Sequence, residues 1–170
     1  MARIFLIAVL LLVVAPAHAG SFSDVPQSRE EYVAVEDLKA RSIIEGHPDG
    51  TFGPDDFVNR AEAITIVVRA VANVRNLPQA ASCFPDVHGD LWFVKPVCYA
   101  KDLGWVGGYP DGTFQPVRTV SKVEYLKILL HAYGEEIEPS DELRLPLASD
   151  AQDITAWYYP YLHRSRSEEH

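Results

Sequence analysis

A mainly helical chain of tandem helix–loop–helix repeats is the architecture that three features of the sequence predict. The nine residues Gly46-His47-Pro48-Asp49-Gly50-Thr51-Phe52-Gly53-Pro54 recur without a gap, 62 positions later, as Gly108-Tyr109-Pro110-Asp111-Gly112-Thr113-Phe114-Gln115-Pro116. Shortly after each copy, Asn59 and Ser121 stand three residues ahead of Glu62 and Glu124, the pattern in which a side chain and a glutamate cap a helix start reciprocally. Behind the caps, Ile64, Val67, Val68 and Val71, and then Leu126, Leu129, Leu130 and Tyr133, follow the i, i+3, i+4, i+7 spacing of one buried helical face. Self-similarity at a fixed period marks a repeat architecture.

In chain order, residues 1–19 read as a secretory leader. Met1-Ala2-Arg3 is a basic lead, Ile4 to Val14 an apolar run, and Ala17-His18-Ala19 a small-residue cleavage site. The rival reading, a permanent anchor, is disfavoured because the run is about half the length that spans a bilayer. Removing Arg3 with the leader leaves 14 Lys+Arg against 24 Asp+Glu, a formal charge of −10. Bulk attraction to nucleic acid or anionic lipid is therefore not expected, and because no later segment is apolar enough to span, no membrane insertion is expected after leader removal. An anionic polymer would have to be held by individually placed cations.

Repeat 1 spans 20–75. Its first helix is expected over about Ser28 to Ser42, with Ala34, Val35, Leu38 and Ile43 inward, and its second behind Asn59. Repeat 2 spans 82–134 and has its first helix at about Leu91 to Leu103, with Trp92, Val97, Cys98 and Ala100 inward. Pro96 inside that helix predicts a kink or a later start. Between the helices of each repeat, Asp49-Gly50 and Asp111-Gly112 supply residues that tolerate a tight reversal. Polar, proline-bearing connectors follow at Asn73 to Ser82 and Gly134 to Leu147. A third repeat begins over 148–170, where Trp157 to Leu162 parallels Trp92 to Val97, and stops before any Asp-Gly turn.

Cys83 and Cys98 are the only cysteines, and in an exported chain a disulfide is the default reading; two buried thiols are the alternative. A metal site is not expected, because two Cys without His at ligand spacing fall short of four ligands. Asp49, Asp55 and Asp56 lack the ligand spacing of a calcium loop. No nucleophile–base pair, paired carboxylates or phosphate loop appears, so neither catalysis nor a cofactor is expected.

The sequence resembles the S-layer homology domain. The resemblance rests on Phe22-x-Asp24-Val25 and Phe84-x-Asp86-Val87, on the two nine-residue copies, and on Asn59-Arg60-Ala61-Glu62 and Ser121-Lys122-Val123-Glu124, which correspond to the family's Thr-Arg-Ala-Glu. It implies a mostly helical fold in which three units gather about a pseudo-threefold axis. It further implies noncovalent attachment at the cell wall, through inter-unit grooves holding secondary cell-wall polysaccharide that often bears acidic pyruvate. Glu30 replaces an expected aromatic, and His47 the expected Tyr.

The candidate glycan contacts are then Arg60, Lys122, Gly46, Gly108, Tyr109 and Trp92. Arg60 and Lys122 lie one residue past a helix cap, where free backbone N–H groups and the helix dipole favour an anion. Arginine ranks first because its guanidinium can grip a carboxylate with two parallel hydrogen bonds. The competing reading makes both solvated first-turn side chains. Gly46 and Gly108 suit close backbone approach or positive φ, and Glu62 and Glu124 capping rather than acid/base work; Trp92, Trp105, Tyr109 and Trp157 read first as core, with Tyr109 the first choice among them to face a sugar's apolar side. The expected function is an exported cell-surface module anchored to wall polysaccharide. The alternatives are a structural assembly protein associating with itself or with surface-layer proteins, and the anchor of a larger surface enzyme cut short at His170.

Overall fold

A computed structural model describes residues 20–72, 76–135 and 156–167. The leader, the third repeat's opening Ala148–Ala151 and most of the second connector lie outside the described residues. Five helices are described: α1 (Tyr32–Ala40), α2 (Arg60–Val71), α3 (Val94–Asp102), α4 (Lys122–Ala132) and α5 (Tyr159–Ser167). An antiparallel pair, β1 (Ser82–Phe84) and β2 (Val87–His88), turns over Pro85-Asp86 in the second repeat.

The second helices start where the sequence places them. The Asn59 side chain accepts from the Glu62 N–H while Glu62 accepts from the Asn59 N–H, and Ser121 and Glu124 do the same. The first helices are shorter than expected. Glu31 and Phe93 precede α1 and α3 without any side-chain cap, so nothing holds the first turn open to Ser28 or Leu91. The later start of α3 puts Pro96 in its first turn, where the missing N–H would have no intrahelical partner in any case.

Two apolar clusters divide the core. Phe22, Val25, Val35, Ile43 and Ile44 gather in repeat 1. A larger cluster joins Ile64, Val67 and Val68 of α2 to Phe84, Val87, Val94, Val97, Phe114 and Ile128 of repeat 2. Helix α2 packs on both α3 and α4, and α4 in turn on α5. Being flanked by two helices explains why α2 buries most of its face.

Three expected inward residues are corrected. Ala34 is exposed because α1 meets its cluster through Tyr32, Val35 and Leu38, on another side of the helix. Trp92 lies before α3 begins and is 59% exposed, and Tyr133 is the C-cap of α4, where the chain turns outward.

Cys83 and Cys98 form a disulfide with Cα atoms 5.4 Å apart, tying β1 to α3. Their counterparts in repeat 1 are also joined. Glu36 accepts from the Ser21 N–H and hydroxyl, both at 2.7 Å, so one repeat has a covalent brace and the other a hydrogen-bonded one.

Candidate functional site

Each nine-residue loop is built around two carboxylates. Asp49 accepts from the Thr51 N–H and hydroxyl, and Asp111 from those of Thr113. These bonds hold both carboxyls below the usual aspartate range. Gly50 and Gly112 take φ of 85° and 82° at the reversal, a region where a side chain would be strained. The second carboxylate comes from Phe-x-Asp-Val. Asp24 accepts from the N–H groups of Phe52 and Gly53, and Asp86 from those of Phe114 and Gln115, all at 2.8 Å. Burial pushes Asp24 up, but the two backbone bonds outweigh it and hold the carboxyl low. Gly46 and Gly108 pass beneath aromatic rings: a Cβ would come within 2.2 Å of Phe22 at Gly46 and 2.9 Å of Phe84 at Gly108.

The loops lead into grooves at equivalent places. Groove 2, of about 260 Å³, is lined by Arg60, Trp105, Gly108, Tyr109, Lys127 and Trp157, with Glu124 at its side. Arg60 reaches it from repeat 1 and is only 7% exposed. Its Nε donates to Phe114 O at 3.0 Å and its Nη2 to Gly107 O at 3.3 Å. The guanidinium lies over Phe114 and Tyr109, 4.6 and 4.9 Å from the ring centroids. Nη1 stands 4.0 Å from Glu124, a long ion pair. Burial pulls the guanidinium below the ordinary arginine range and Glu124 opposes that pull; arginine keeps its proton regardless. Glu124 itself is pushed up by burial but held below the glutamate range by the Ser121 N–H and Arg118. Arg118 also donates to the Tyr109 hydroxyl, and Lys127 lies 5.5 Å from the Trp157 ring.

One premise about Arg60 is overturned. The backbone N–H groups at the start of α2 are not available to an anion, because Arg60 N–H donates to Arg118 O and Ala61 N–H to Pro116 O. With Val120 N–H donating to Val58 O, these bonds stitch the first repeat to the second, and the cost of an unpaired buried N–H explains the preference for an internal partner. What Arg60 brings to groove 2 is the charge of its side chain.

Groove 1 occupies the matching place in repeat 1 and is larger, about 700 Å³. Gly46, His47, Asp56, Phe57, Glu62 and Trp92 are among its lining residues. Arg69 lines it too, 3.0 Å from Glu45. The six candidate contacts therefore separate: Arg60, Gly108 and Tyr109 lie in groove 2, and Gly46 and Trp92 in groove 1. Lys122 is exposed and lines neither groove.

Sequence reasoning read Trp105 and Trp157 as core rather than as faces for a sugar, and it did not single out Lys127; all three line groove 2. Trp105 is the counterpart of Ile43 and Lys127 of buried Thr65, so a change of type at a repeated position was the available signal. Among the described residues no group of three or more His, Cys, Asp or Glu could hold a metal, and no helix is long and apolar enough to cross a membrane.

The S-layer homology domain family matches residues 21–64 and 84–126. Cell surface glycoprotein 1 of Acetivibrio thermocellus is 34% identical over 102 residues, 57% of this chain and 4% of that protein. S-layer protein EA1 of Bacillus anthracis is 29% identical over 136 residues, 77% of this chain and 15% of that protein. The cellulosome-anchoring protein of A. thermocellus is 29% identical over 88 residues, 51% of this chain and 20% of that protein. The chain thus spans a fifth or less of the length of each of these relatives.

Proposed function

The chain belongs to the S-layer homology domain family, and from that premise we propose that it is an exported cell-surface anchoring module whose groove 2 binds an acidic, pyruvate-bearing wall polysaccharide without covalent attachment. Relatives named as surface-layer and cellulosome-anchoring proteins support the anchoring role. In this reading α5 opens a third unit of a pseudo-threefold set, and the partner is a glycan rather than nucleic acid or lipid.

The observation that carries the reading is Arg60. A guanidinium 7% exposed, fixed by two carbonyls and lying over two rings, is an expensive feature in so acidic a chain unless its charge has a use. Its fixed position lets it meet a carboxylate with little further ordering, and Lys127 adds a second cation. Trp157, 55% exposed, and Tyr109 offer faces for the apolar side of a sugar ring.

Retention of the full exported chain on purified wall polysaccharide tests the proposal. Arg60→Ala is expected to weaken binding at least about tenfold, and stripping the acidic substituents from the glycan should match that loss. Arg60→Lys should recover part of it. Equal retention in all three comparisons would end the reading. Lys122→Ala, outside both grooves, should change retention less than any of them.

A further inference from the structure

We propose that leader removal after Ala19 creates a structural group: the new α-ammonium of Gly20 seats between Glu36 and Tyr32 and completes the brace of repeat 1. This rests on the export of the chain and is independent of what groove 2 holds. Cleavage of the Ala19–Gly20 bond consumes one water, whose oxygen stays with Ala19 as a carboxylate and whose two protons turn the Gly20 nitrogen into an ammonium.

The place that this nitrogen enters is already walled by the fold. Ser21, the next residue, donates its N–H and its hydroxyl to the two Glu36 oxygens, both at 2.7 Å. A Cβ on Gly20 would come within 2.9 Å of Tyr32 Cε2, 3.3 Å of Glu36 Oε1 and 3.4 Å of the Tyr32 hydroxyl, so the Gly20 Cα stands in the corner that these two side chains make. They lie one turn apart on α1, and the Gly20 nitrogen is one bond from that Cα. Among the described residues nothing accepts from the Gly20 N–H, and no Lys, Arg or His pairs with Glu36. A half-buried carboxylate turned toward the cut thus has neutral donors and no counter-charge, and processing supplies one.

Repeat 2 fills the same corner differently. Ser21, Tyr32 and Glu36 stand where it has Cys83, Val94 and Cys98. There the chain runs on upstream, with Ala81 O accepting from the Gly89 N–H at 3.0 Å, and a disulfide and a buried apolar side chain close the corner. Beside the cut, all three positions are polar. The cut also stands against the fold without a spacer: Ser23 N–H donates to Gly50 O at 3.1 Å, and Phe22 and Val25 are both buried. Proteolysis acts on loose chain, so cleavage precedes the seating of residues 20–25 and the ammonium is present when they seat.

N-terminal sequencing of the exported chain should begin at Gly20. At low salt that chain should melt about 3 °C above the same chain acetylated on its α-amine, and above a chain made with Ala19 retained, in which the charge is displaced by one residue. Added salt should erode the difference. In Glu36→Gln the difference between free and acetylated amine should fall below about 1 °C; taken within one background, it is separate from the loss that the substitution itself brings. If Glu36→Gln does not fold, the salt dependence in the unaltered chain decides. An exported chain beginning elsewhere, equal melting of the three chains, or a difference that salt leaves unchanged or that survives Glu36→Gln would overturn the proposal. Retention on acidic polysaccharide, measured in parallel, separates the two readings. Its loss in Arg60→Ala with no effect of acetylation on melting sinks this inference alone, and the converse sinks the reading of groove 2 alone.

Discussion

The two repeats share one plan and solve its local problems with different chemistry. Where repeat 2 ties β1 to α3 through Cys83–Cys98, repeat 1 ties the same positions through Ser21 and Glu36. Both copies pin the Asp-Gly loop with an upstream carboxylate, Asp24 or Asp86. Both set a lysine over the first aromatic, Lys39 over Phe22 and Lys101 over Phe84, 5.1 and 4.2 Å from the centroids. The conserved plan therefore concerns holding the loop against its helices. The charge in the groove beside it was free to diverge: Thr65 against Lys127, Glu45 against Gly107, His47 against Tyr109. A repeat fold can keep its loops and change its grooves, because the bonds that pin each loop run within a unit and groove walls come from two.

Reduction is the harshest way to break this comparison. Cys83→Ser with Cys98→Ser should cost about 3 kcal/mol by releasing a loop of 15 residues in the unfolded chain, measured by denaturant unfolding. Ser21→Ala, which removes one hydrogen bond of the other brace, should cost about 1 kcal/mol. If the two losses are equal, the covalent brace adds nothing beyond its hydrogen-bonded counterpart.

Arg60→Ala comes next. Besides its effect on retention, it leaves Phe114 O and Gly107 O without their partner and should lower stability by about 2 kcal/mol. Lys122→Ala, at the equivalent position of α4 but exposed, should stay within about 0.5 kcal/mol. Equal effects would mean that α2 and α4 begin in the same environment, contrary to the stitching of α2 onto Pro116 and Arg118.

Caps should separate the repeats less. Asn59→Ala and Ser121→Ala each remove one side-chain acceptor and should each cost about 1 kcal/mol, read as a shift in unfolding midpoint.

Acid gives the smallest effect at neutral pH and the only one that grows on titration. Asp24, Asp49 and Asp111 have folded pKa values below their ordinary value of 3.8. A depressed folded pKa means stability that is present above the unfolded value and lost as pH falls through the folded one. Melting temperature should therefore be level near neutrality and decline below about pH 4. Asp24→Asn should flatten that decline; an unchanged acid limb would show that the loop clamp in repeat 1 draws nothing from its charge.

Much of the fold was legible because its signals are local. The capping boxes, the Asp-Gly reversals and the periodic face of α2 each depend on residues within a few positions, and the structure forms them where the sequence puts them, whereas α4 buries Ile128 and Leu130 and turns Tyr133 out. The first helices were read too long because neither has a side-chain cap to mark its start, at Glu31 or at Phe93. The β1–β2 hairpin was missed because three residues against two are too few for a period to register. Arg60 was legible as a candidate by its place after a cap, yet the reason first attached to it was wrong, since its N–H neighbours bond to carbonyls more than 50 positions away in the chain.

The sequence by itself determined the repeat, its turns and caps, the cysteine pair and the charge imbalance, all of which follow from residue type at short spacing. Only the tertiary structure decided that Arg60 lines the groove of the following repeat and that Trp92 stands out of α3 to wall the groove of the preceding one. Those outcomes depend on which units meet and in what register, and pairing between segments far apart in the chain leaves no mark on the local pattern of either.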